Sequence, residues 1–234
     1  MAERLGAVLD AIYAAFGQGW DGMEHPDAPE SLTGEAIWLA RLVVHLLPEE
    51  PEPAGLLALM LYCTARRRAR RDASGAFVPL DRQDARLWDR TMIIEAEGLL
   101  IRAAQAGRFG RFQCEAAIQS VHVQRPITGQ VNLKALRLLY DLLVQHTDSI
   151  GARIGQAVVI AEAGEPLAAL GALDALPGQV ARHQPWWVAR AHVAGLAGQR
   201  DRALADLAQA IALTEDAAVR AYLMDVRLTL DAGP

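Results

Sequence analysis

Residues 36–100 read AIWLARLVVHLLPEEPEPAGLLALMLYCTARRRARRDASGAFVPLDRQDARLWDRTMIIEAEGLL, and this stretch decides the fold class. Its apolar residues recur every three or four positions, as on the buried face of an α-helix. No segment alternates convincingly between apolar and polar residues in the way that a half-buried strand does. The stretch therefore predicts consecutive helices without a sheet.

The acidic segment at the centre of this stretch is the start of a helix. A preceding helix over 31–47 carries a wide apolar stripe and stops at Pro48. The next helix is expected to open near Pro51, where negative charge stabilises the positive end of a helix dipole. That charge comes from Glu49, Glu50 and Glu52. A cation site is the alternative interpretation, but three glutamates this close do not build a coordination shell.

The arginine-rich run at 66–71 is expected in the last two turns of the same helix, where cations stabilise the negative end of the dipole. Two interpretations stay open. The run could grip phosphates or an acidic protein surface, with Arg66, Arg67, Arg70 and Arg71 as the contact candidates. The favoured interpretation is a solvated helix end paired with Asp72, Asp81, Asp84 and Asp89.

Helices are also predicted on both sides of this region. A first helix over 5–16 should end at Gly17 and Gly19, before a loop through Pro29. After a loop at 72–79, Asp81 or Asp84 can cap a long helix through about Ala106. Two further helices, over 112–123 and 131–145, should be separated by a turn at 126–130.

From Ile150 onward the chain repeats itself with a period of 34 residues, which is the tetratricopeptide period. Small residues at equivalent positions suit the close crossing of the two helices of each repeat. The pairs include Gly164 with Gly198 and Ala169 with Ala203. Two hairpins are expected at about 150–176 and 184–213, followed by a cap helix at 215–230.

The predicted fold class is therefore all-α: an array of about ten to eleven helices that ends in two tetratricopeptide-like hairpins and a cap helix. The expected division is 1–147 for the N-terminal helical part and 148–234 for the repeats. Because two repeats are too few to stand alone, we expect them to pack on the N-terminal helices.

Composition excludes several classes of function. The chain is 52% hydrophobic but only 6% aromatic, so Ala and Leu fill its helices. A net charge of −5 argues against the whole chain being a nucleic-acid binder.

Cys63 and Cys114 are expected to be buried thiols in a reducing cytoplasm. No apolar run is long enough to span a membrane, and the N-terminus does not read as a signal peptide, so a soluble cytoplasmic protein is expected.

No common catalytic motif is present, so no enzyme activity, cofactor or metal is expected. The one alternative is a site around Cys114, Glu115 and His122, although no third group orients the histidine. Trp186 and Trp187 are candidates for lining a groove, but an aromatic in the first helix of a repeat is usually packing. Trp88 is expected to be buried, with Asp89 facing an arginine of the 66–71 run.

The order of residues in several blocks resembles the C-terminal extension of extracytoplasmic-function RNA polymerase sigma factors that carry tetratricopeptide-like repeats. The resemblance covers nearly the whole chain and is most specific in its middle block. The matching elements are EAIWLARLVVHLLPEEPEPAGLLALMLYCTARRRAR at 35–70, VPLDRQDARLWDRTMIIEAEGLL at 78–100, FQCEAAIQSVHV at 112–123, LLYDLL at 138–143 and QAVVIAEAGEP at 156–166.

The chain departs from that family at polar positions. Where the family reads FNEGY, this chain has Phe16, Gly17, Gln18, Gly19 and Trp20, so Phe16 and Trp20 remain as contact candidates. The family's Thr-Asp-Trp appears as residues 128–130, TGQ, and its Leu-Asn-Arg-Ala as residues 154–157, IGQA. Apolar positions are kept and polar ones are lost, which preserves the fold.

The resemblance implies a non-enzymatic regulatory domain that acts in transcription initiation through protein contact. Its partners would be the sigma core regions, RNA polymerase or a signalling protein, with DNA contacted only indirectly. The chain itself has no counterpart of the polymerase- and promoter-binding regions, so we expect either an excised domain or a stand-alone relative. The alternatives are a free-standing tetratricopeptide adaptor that binds a peptide, and a helical enzyme or small-ligand binder.

Overall fold

The computed structural model describes residues 2–21 and 30–233 and confirms the all-α fold. Within these ranges the chain forms eleven α-helices and no strand, with one isolated antiparallel bridge between Arg71 and Phe77. The helices are α1 Ala2–Asp21, α2 Glu30–Leu46, α3 Pro51–Ala65, α4 Arg90–Gln105, α5 Arg111–Thr128, α6 Leu133–His146, α7 Ile150–Glu162, α8 Pro166–Asp174, α9 Gln184–Leu196, α10 Arg200–Leu213 and α11 Ala217–Ala232.

The helices fall into two compact units. The first comprises residues 1–69 and 84–131, and the second comprises residues 70–83 and 132–234. The boundary after residue 131 lies one helix earlier than the division expected after residue 147, because α6 packs against α7. The segment 70–83 also belongs to the second unit, although it interrupts the first in sequence.

The first unit is built around α3, which is buried on nearly every side. Leu56 through Tyr62 are all almost inaccessible to solvent. A helix that is apolar all round must be enclosed by others. Here α4 and α5 cover most of α3, and α1 and α2 cover the remainder. This explains why the block at 51–62 carries no polar face.

The second unit stacks α6 to α11 in sequence order. Each helix packs on the next, and α7 also contacts α9, as expected for two helical hairpins followed by a cap helix. The predicted array is confirmed in this respect. Its main core contains Ile154, Leu170, Leu173, Trp186 and Val193.

Several helix boundaries differ from the sequence-based expectation. α1 continues through Gly17 and Gly19 to Asp21, because burial of Phe16 against the rest of the first unit outweighs the weak helix propensity of glycine. α5 runs through Pro126 to Thr128 and ends at Gly129, whose φ is 77°. The loop expected through Pro29 lies at residues 22–29, outside the described residues.

Another difference concerns the start of α4. Neither Asp81 nor Asp84 caps this helix: residues 80–88 form two short 3-10 turns instead, Leu80–Arg82 and Ala85–Leu87. Asp89 is the cap, since its carboxylate accepts the main-chain N–H groups of Thr91 and Met92.

Candidate functional site

Glu52 links the acidic segment to a helix sixty residues away in sequence. Its carboxylate accepts the main-chain N–H of Phe112 at 3.0 Å and that of Gln113 at 3.3 Å, so it caps the first turn of α5. Gly110 at the N-cap has no side chain to do so, and a Cβ there would collide with the Glu52 carboxylate. Glu52 therefore stabilises two helix starts, its own and that of α5.

The other acidic residues of this segment have simpler roles. Glu50 is the N-cap residue of α3 and pairs with Arg108 at 3.3 Å, while Arg108 also donates to the main-chain oxygen of Glu49. The side chain of Glu49 is exposed. The segment lies at the start of α3, as predicted, and its contacts with α5 were not predicted.

The arginine-rich run is not the solvated end of a helix. α3 ends at Ala65, and the buried Arg66 donates to the main-chain oxygen of Tyr62 and to the amide oxygen of Gln119. Arg71 forms an ion pair with Asp216, the N-cap residue of α11, with 2.6 Å between the nitrogen and the oxygen. Arg68 is exposed, whereas Arg67 and Arg70 are half-buried. Arg66 and Arg71 therefore serve internal contacts.

Trp88 is buried, as predicted, with 6% of its surface exposed. The ion pair expected between Asp89 and the arginine run is wrong, because the Asp89 carboxylate caps α4. Asp84 pairs with its neighbour Arg86 instead, and its carboxylate also accepts the main-chain N–H of Arg86. The main-chain N–H of Asp89 donates to Ala65, which joins the end of α3 to the start of α4.

The cluster on α5 lacks an activated nucleophile. Cys114 is fully buried, and burial raises the pKa of its thiol to about 12, so the thiolate is disfavoured. Glu115 is paired with Arg111 at 2.9 Å. His122 lies eight residues from Cys114 along the helix, or about 12 Å, so the two cannot form a hydrogen bond.

The aromatic contact candidates are mainly packing residues. Phe16 is 3% exposed, and Trp186 is buried with its indole N–H donated to the main-chain oxygen of Leu173 at 3.0 Å. Trp187 is half-buried and donates to the oxygen of Ala181. The side chain of Trp20 lies outside the described residues. Burial of Phe16 and Trp186 removes both from the set of side chains that can meet a partner directly.

The guanidinium of Arg190 lies over both rings of the tryptophan pair. It is 4.4 Å from the ring centre of Trp186 and 5.1 Å from that of Trp187. Its Nε lies 3.4 Å from carboxylate oxygens of Asp174 and Asp206. Burial raises the pKa of Asp206, although the positive charges of Arg190 and Arg202 act to lower it. This cluster joins α8, α9 and α10 and belongs to the core of the repeats.

The repeat residues divide into two kinds. Ala169 and Ala203 are fully buried at equivalent points of the two hairpins. Gly164 and Gly198 are not at the helix crossing, because a Cβ on either would meet no atom within 4 Å. They have φ angles of 99° and 71° and form the turn between the two helices of each hairpin. The 34-residue spacing thus reports a turn conformation as well as packing.

Two positions that depart from the sigma-factor pattern make specific contacts in the second unit. A Cβ on Gly155 would come 2.4 Å from the ring of Tyr140, so glycine permits the close approach of α6 and α7. The amide of Gln156 donates to the carboxylate of Asp141 at 2.7 Å. The residues at 155 and 156 therefore fit the LLYDLL block that they face.

An exposed apolar surface on α2 and α4 was missed by the sequence analysis. We call it the α2–α4 surface and define it by Trp38, Leu39, Leu42, Leu46, Ile94 and Ile101. Trp38 is 61% exposed, Leu46 65% and Ile94 69%. Arg41 on α2 donates to Glu95 on α4 at 2.9 Å, which joins the two helices that carry these side chains.

The signal for this surface was the width of the apolar stripe on α2. One side of the helix faces the core through Thr33, Ala36 and Ala40. The leucines at 39, 42 and 46, together with Trp38, lie on the other side, so the helix is apolar on two faces. An amphipathic helix that packs on one core needs only one such face.

The described part of the chain offers no group of three or more His, Cys, Asp or Glu side chains that could hold a metal ion. Neither Cys63 nor Cys114 forms a disulfide within the described residues. No helix in the described ranges is long and apolar enough to cross a membrane.

Comparison with known proteins gives relatives without an assigned activity. Residues 4–104 match a family described as "Family of unknown function (DUF6596)". An uncharacterized protein of Rhizobium meliloti (strain 1021) is 36% identical over 231 residues, which are 98% of this chain and 54% of that protein. The chain thus spans about half the length of the curated relative that it matches. No solved structure matches it significantly.

Proposed function

We propose that this chain is a non-enzymatic regulatory and interaction unit of an extracytoplasmic-function type of sigma factor. It acts in transcription initiation by presenting the α2–α4 surface to the helical sigma core regions or to RNA polymerase. The observation that carries the proposal is the exposure of Trp38 among three leucines on a helix whose opposite face is already buried. Groups of exposed apolar side chains mark sites of protein contact.

The position of this surface in the sequence supports the proposal. Every residue of the α2–α4 surface lies within the matched range 4–104. Five of the six also lie in the blocks at 35–70 and 78–100, and the sixth, Ile101, follows the second block directly. These are the blocks whose wording resembles the sigma-factor extension most specifically.

The length of the relative is a second support. A protein that aligns with this chain over nearly all of it has about as much sequence again outside the alignment. An interaction unit that works on neighbouring helical regions suits such an arrangement. The relative carries no assigned function, so it supports the organisation only.

Binding at this surface would be driven by apolar burial with a tryptophan at its centre. Tryptophan is enriched among residues that dominate interface energies, where truncation often weakens binding by about 2 kcal/mol or more. The Arg41–Glu95 pair would fix the spacing of α2 and α4 beneath the partner. Arg41 and Glu95 would also supply the polar contacts that surround an apolar interface core.

The test is a binding measurement with purified proteins. The full chain is titrated into the polymerase-binding regions of an extracytoplasmic-function sigma factor from the same genome, and separately into core RNA polymerase. Trp38→Ser and Leu42→Ser should each weaken binding about tenfold or more. Both side chains are exposed, so their loss should leave the thermal midpoint of the chain nearly unchanged.

Leu228→Ser is the matched control, since Leu228 is 67% exposed on α11 and lies outside the α2–α4 surface. It should bind as the unchanged chain does. Equal affinity of the Trp38→Ser variant, or no binding to either partner, would overturn the proposal.

Duplex DNA provides a second arm. At a net charge of −5, with Arg66 buried and Arg71 paired with Asp216, the arginine-rich run is a poor phosphate-binding surface. We expect no DNA binding above that of other acidic proteins. Submicromolar affinity that falls steeply with salt would replace protein contact with direct DNA recognition.

A further inference from the structure

A cavity of about 580 Å³ lies in the second unit and is not part of the α2–α4 surface. It is formed by the segment 70–83, the junction of α9 and α10, and α11. Its volume is in the range of pockets that take small organic molecules. The residues that decide its chemistry are Arg82, Arg200, Tyr222, Asp225, Val226 and Leu230.

The two arginines give the cavity an excess of positive charge. Arg200 donates one hydrogen bond to the main-chain oxygen of Asp231. Arg82 is exposed, and its guanidinium makes no hydrogen bond or ion pair with the described part of the chain. Asp225 is the acidic residue of the lining, so the three charged groups sum to one positive charge. An arginine without a protein acceptor in a concave site can bind an anionic oxygen through two parallel N–H groups.

The rest of the lining is largely apolar. Val226 and Leu230 lie one helical turn apart on α11, and Tyr222 lies one turn before Val226. A ligand that satisfies both parts of the cavity needs an apolar body as well as a single anionic group.

The walls of the cavity are fixed before any ligand arrives. Arg71 pairs with Asp216 at the start of α11, and the ring of Phe77 packs edge-on against Tyr222 with 5.4 Å between ring centres. These two contacts hold the segment 70–83, which also carries Arg82, against the start and the first two turns of α11. A preformed site binds more tightly because less ordering accompanies binding.

Two glycines keep the cavity open. A Cβ on Gly195 or on Gly198 would meet no atom within 4 Å, and both residues line the cavity. Gly195 lies in the last turn of α9 and lacks the positive φ that Gly198 requires. A larger residue at 195 can therefore be accommodated by the backbone while it fills the cavity.

We propose that this cavity is a binding site for an amphipathic organic monoanion, a molecule with one carboxylate on an apolar body. The carboxylate is held by Arg82 and Arg200, and the apolar body lies on Tyr222, Val226 and Leu230. The site is formed by residues of the second unit alone and shares none with the α2–α4 surface.

The test uses 4-phenylbutanoate as the probe and its uncharged amide, 4-phenylbutanamide, as the matched neutral compound. Both are titrated into the full chain by calorimetry. The carboxylate should bind at least about tenfold more tightly than the amide, because the charge-assisted contact to the arginines is lost in the amide. Equal binding of the two compounds would contradict the proposed role of the arginines.

Two variants locate the site by different means. Arg82→Gln should weaken binding of the carboxylate about tenfold without changing that of the amide, and Gly195→Leu should abolish binding of both by filling the cavity. Their controls are Arg227→Gln, an exposed arginine of α11 outside the cavity, and Gly171→Leu, an exposed glycine of α8 with equally open surroundings. Unchanged binding in Gly195→Leu, or no measurable binding of the carboxylate to the unchanged chain, would overturn the proposal.

Discussion

Gly55 of α3 lies directly against the backbone of Gln113 of α5, so that a Cβ on Gly55 would come 2.7 Å from the Gln113 main-chain nitrogen. Gln113 is fully buried and its side chain donates to both Glu52 and the main-chain oxygen of Arg108. The two helices that form the centre of the first unit therefore meet at a point where only glycine fits.

Gly55→Ala should destabilise the chain by roughly 1–3 kcal/mol, because the added methyl group forces α3 and α5 apart. Gly34→Ala is the control: Gly34 lies in α2 with open surroundings, and alanine there should stabilise by roughly 0.5–1 kcal/mol. Chemical denaturation of both variants measures the difference. Equal stabilities would show that the α3–α5 contact is looser than described.

Glu52→Ala should destabilise the chain by about 1–2 kcal/mol, because it leaves the first N–H groups of α5 without their acceptor. Glu49→Ala removes a carboxylate from the same segment, but one that is exposed, and should change the free energy of unfolding by less than about 0.5 kcal/mol. A loss of the same size in both variants would mean that general negative charge, and not the cap of α5, is what matters.

Ala203→Leu should destabilise the second unit by roughly 1–3 kcal/mol, since Ala203 is fully buried in the core of the repeats. Ala205→Leu, two positions away on the exposed side of α10, is the matched control and should be near neutral. The thermal midpoint distinguishes them. A midpoint unaffected by Ala203→Leu would contradict the assigned register of the repeat.

The stability of the chain should fall between pH 6.5 and pH 4 in part because of His122. Burial lowers the pKa of His122 from 6.5 to about 4, with Arg66 and Arg125 acting in the same direction. In this window the unfolded chain binds a proton at His122 that the folded chain does not, so acidification favours unfolding.

Replacement of His122 by glutamine should make this part of the pH dependence smaller. The measurement compares urea midpoints of the two proteins from pH 7 to pH 4, where carboxyl groups contribute equally to both. Parallel curves over the whole range would show that His122 is protonated alike in the folded and unfolded states.

The fold could be predicted from sequence where two neighbouring repeats carry the same residues at equivalent positions. Ala169 and Ala203 are buried at equivalent points of the two hairpins. Gly164 and Gly198 lie in equivalent turns and both have a positive φ, because neighbouring repeats have similar surroundings. Capping by Glu52 was not accessible, since its acceptor role depends on α5 returning to α3 after sixty residues. Only tertiary packing brings the two together.

The candidate site was less predictable than the fold. Arginine and tryptophan are common in interfaces, so Arg66 and Trp186 were predicted as candidate partner contacts. Both are buried, and each donates a hydrogen bond to a main-chain oxygen of the same chain. The exposure of Trp38 and Ile94 was not predicted, because the sequence pattern does not reveal which of two apolar faces is covered. The start of α4 was misplaced because Asp84 and Asp89 have the same capping ability and differ only in the backbone that follows them.

The pairing of Arg71 with Asp216 sets an order of events during synthesis. The two residues are separated by 145 positions, so the segment around Arg71 leaves the ribosome on the order of ten seconds before its partner helix exists. During that time α4 and α5 can add to the first unit, while the 70–83 segment still lacks the α11 residues with which it pairs. The second unit, and the proposed anion-binding cavity that the 70–83 segment helps to line, can therefore form only after α11 has been synthesised.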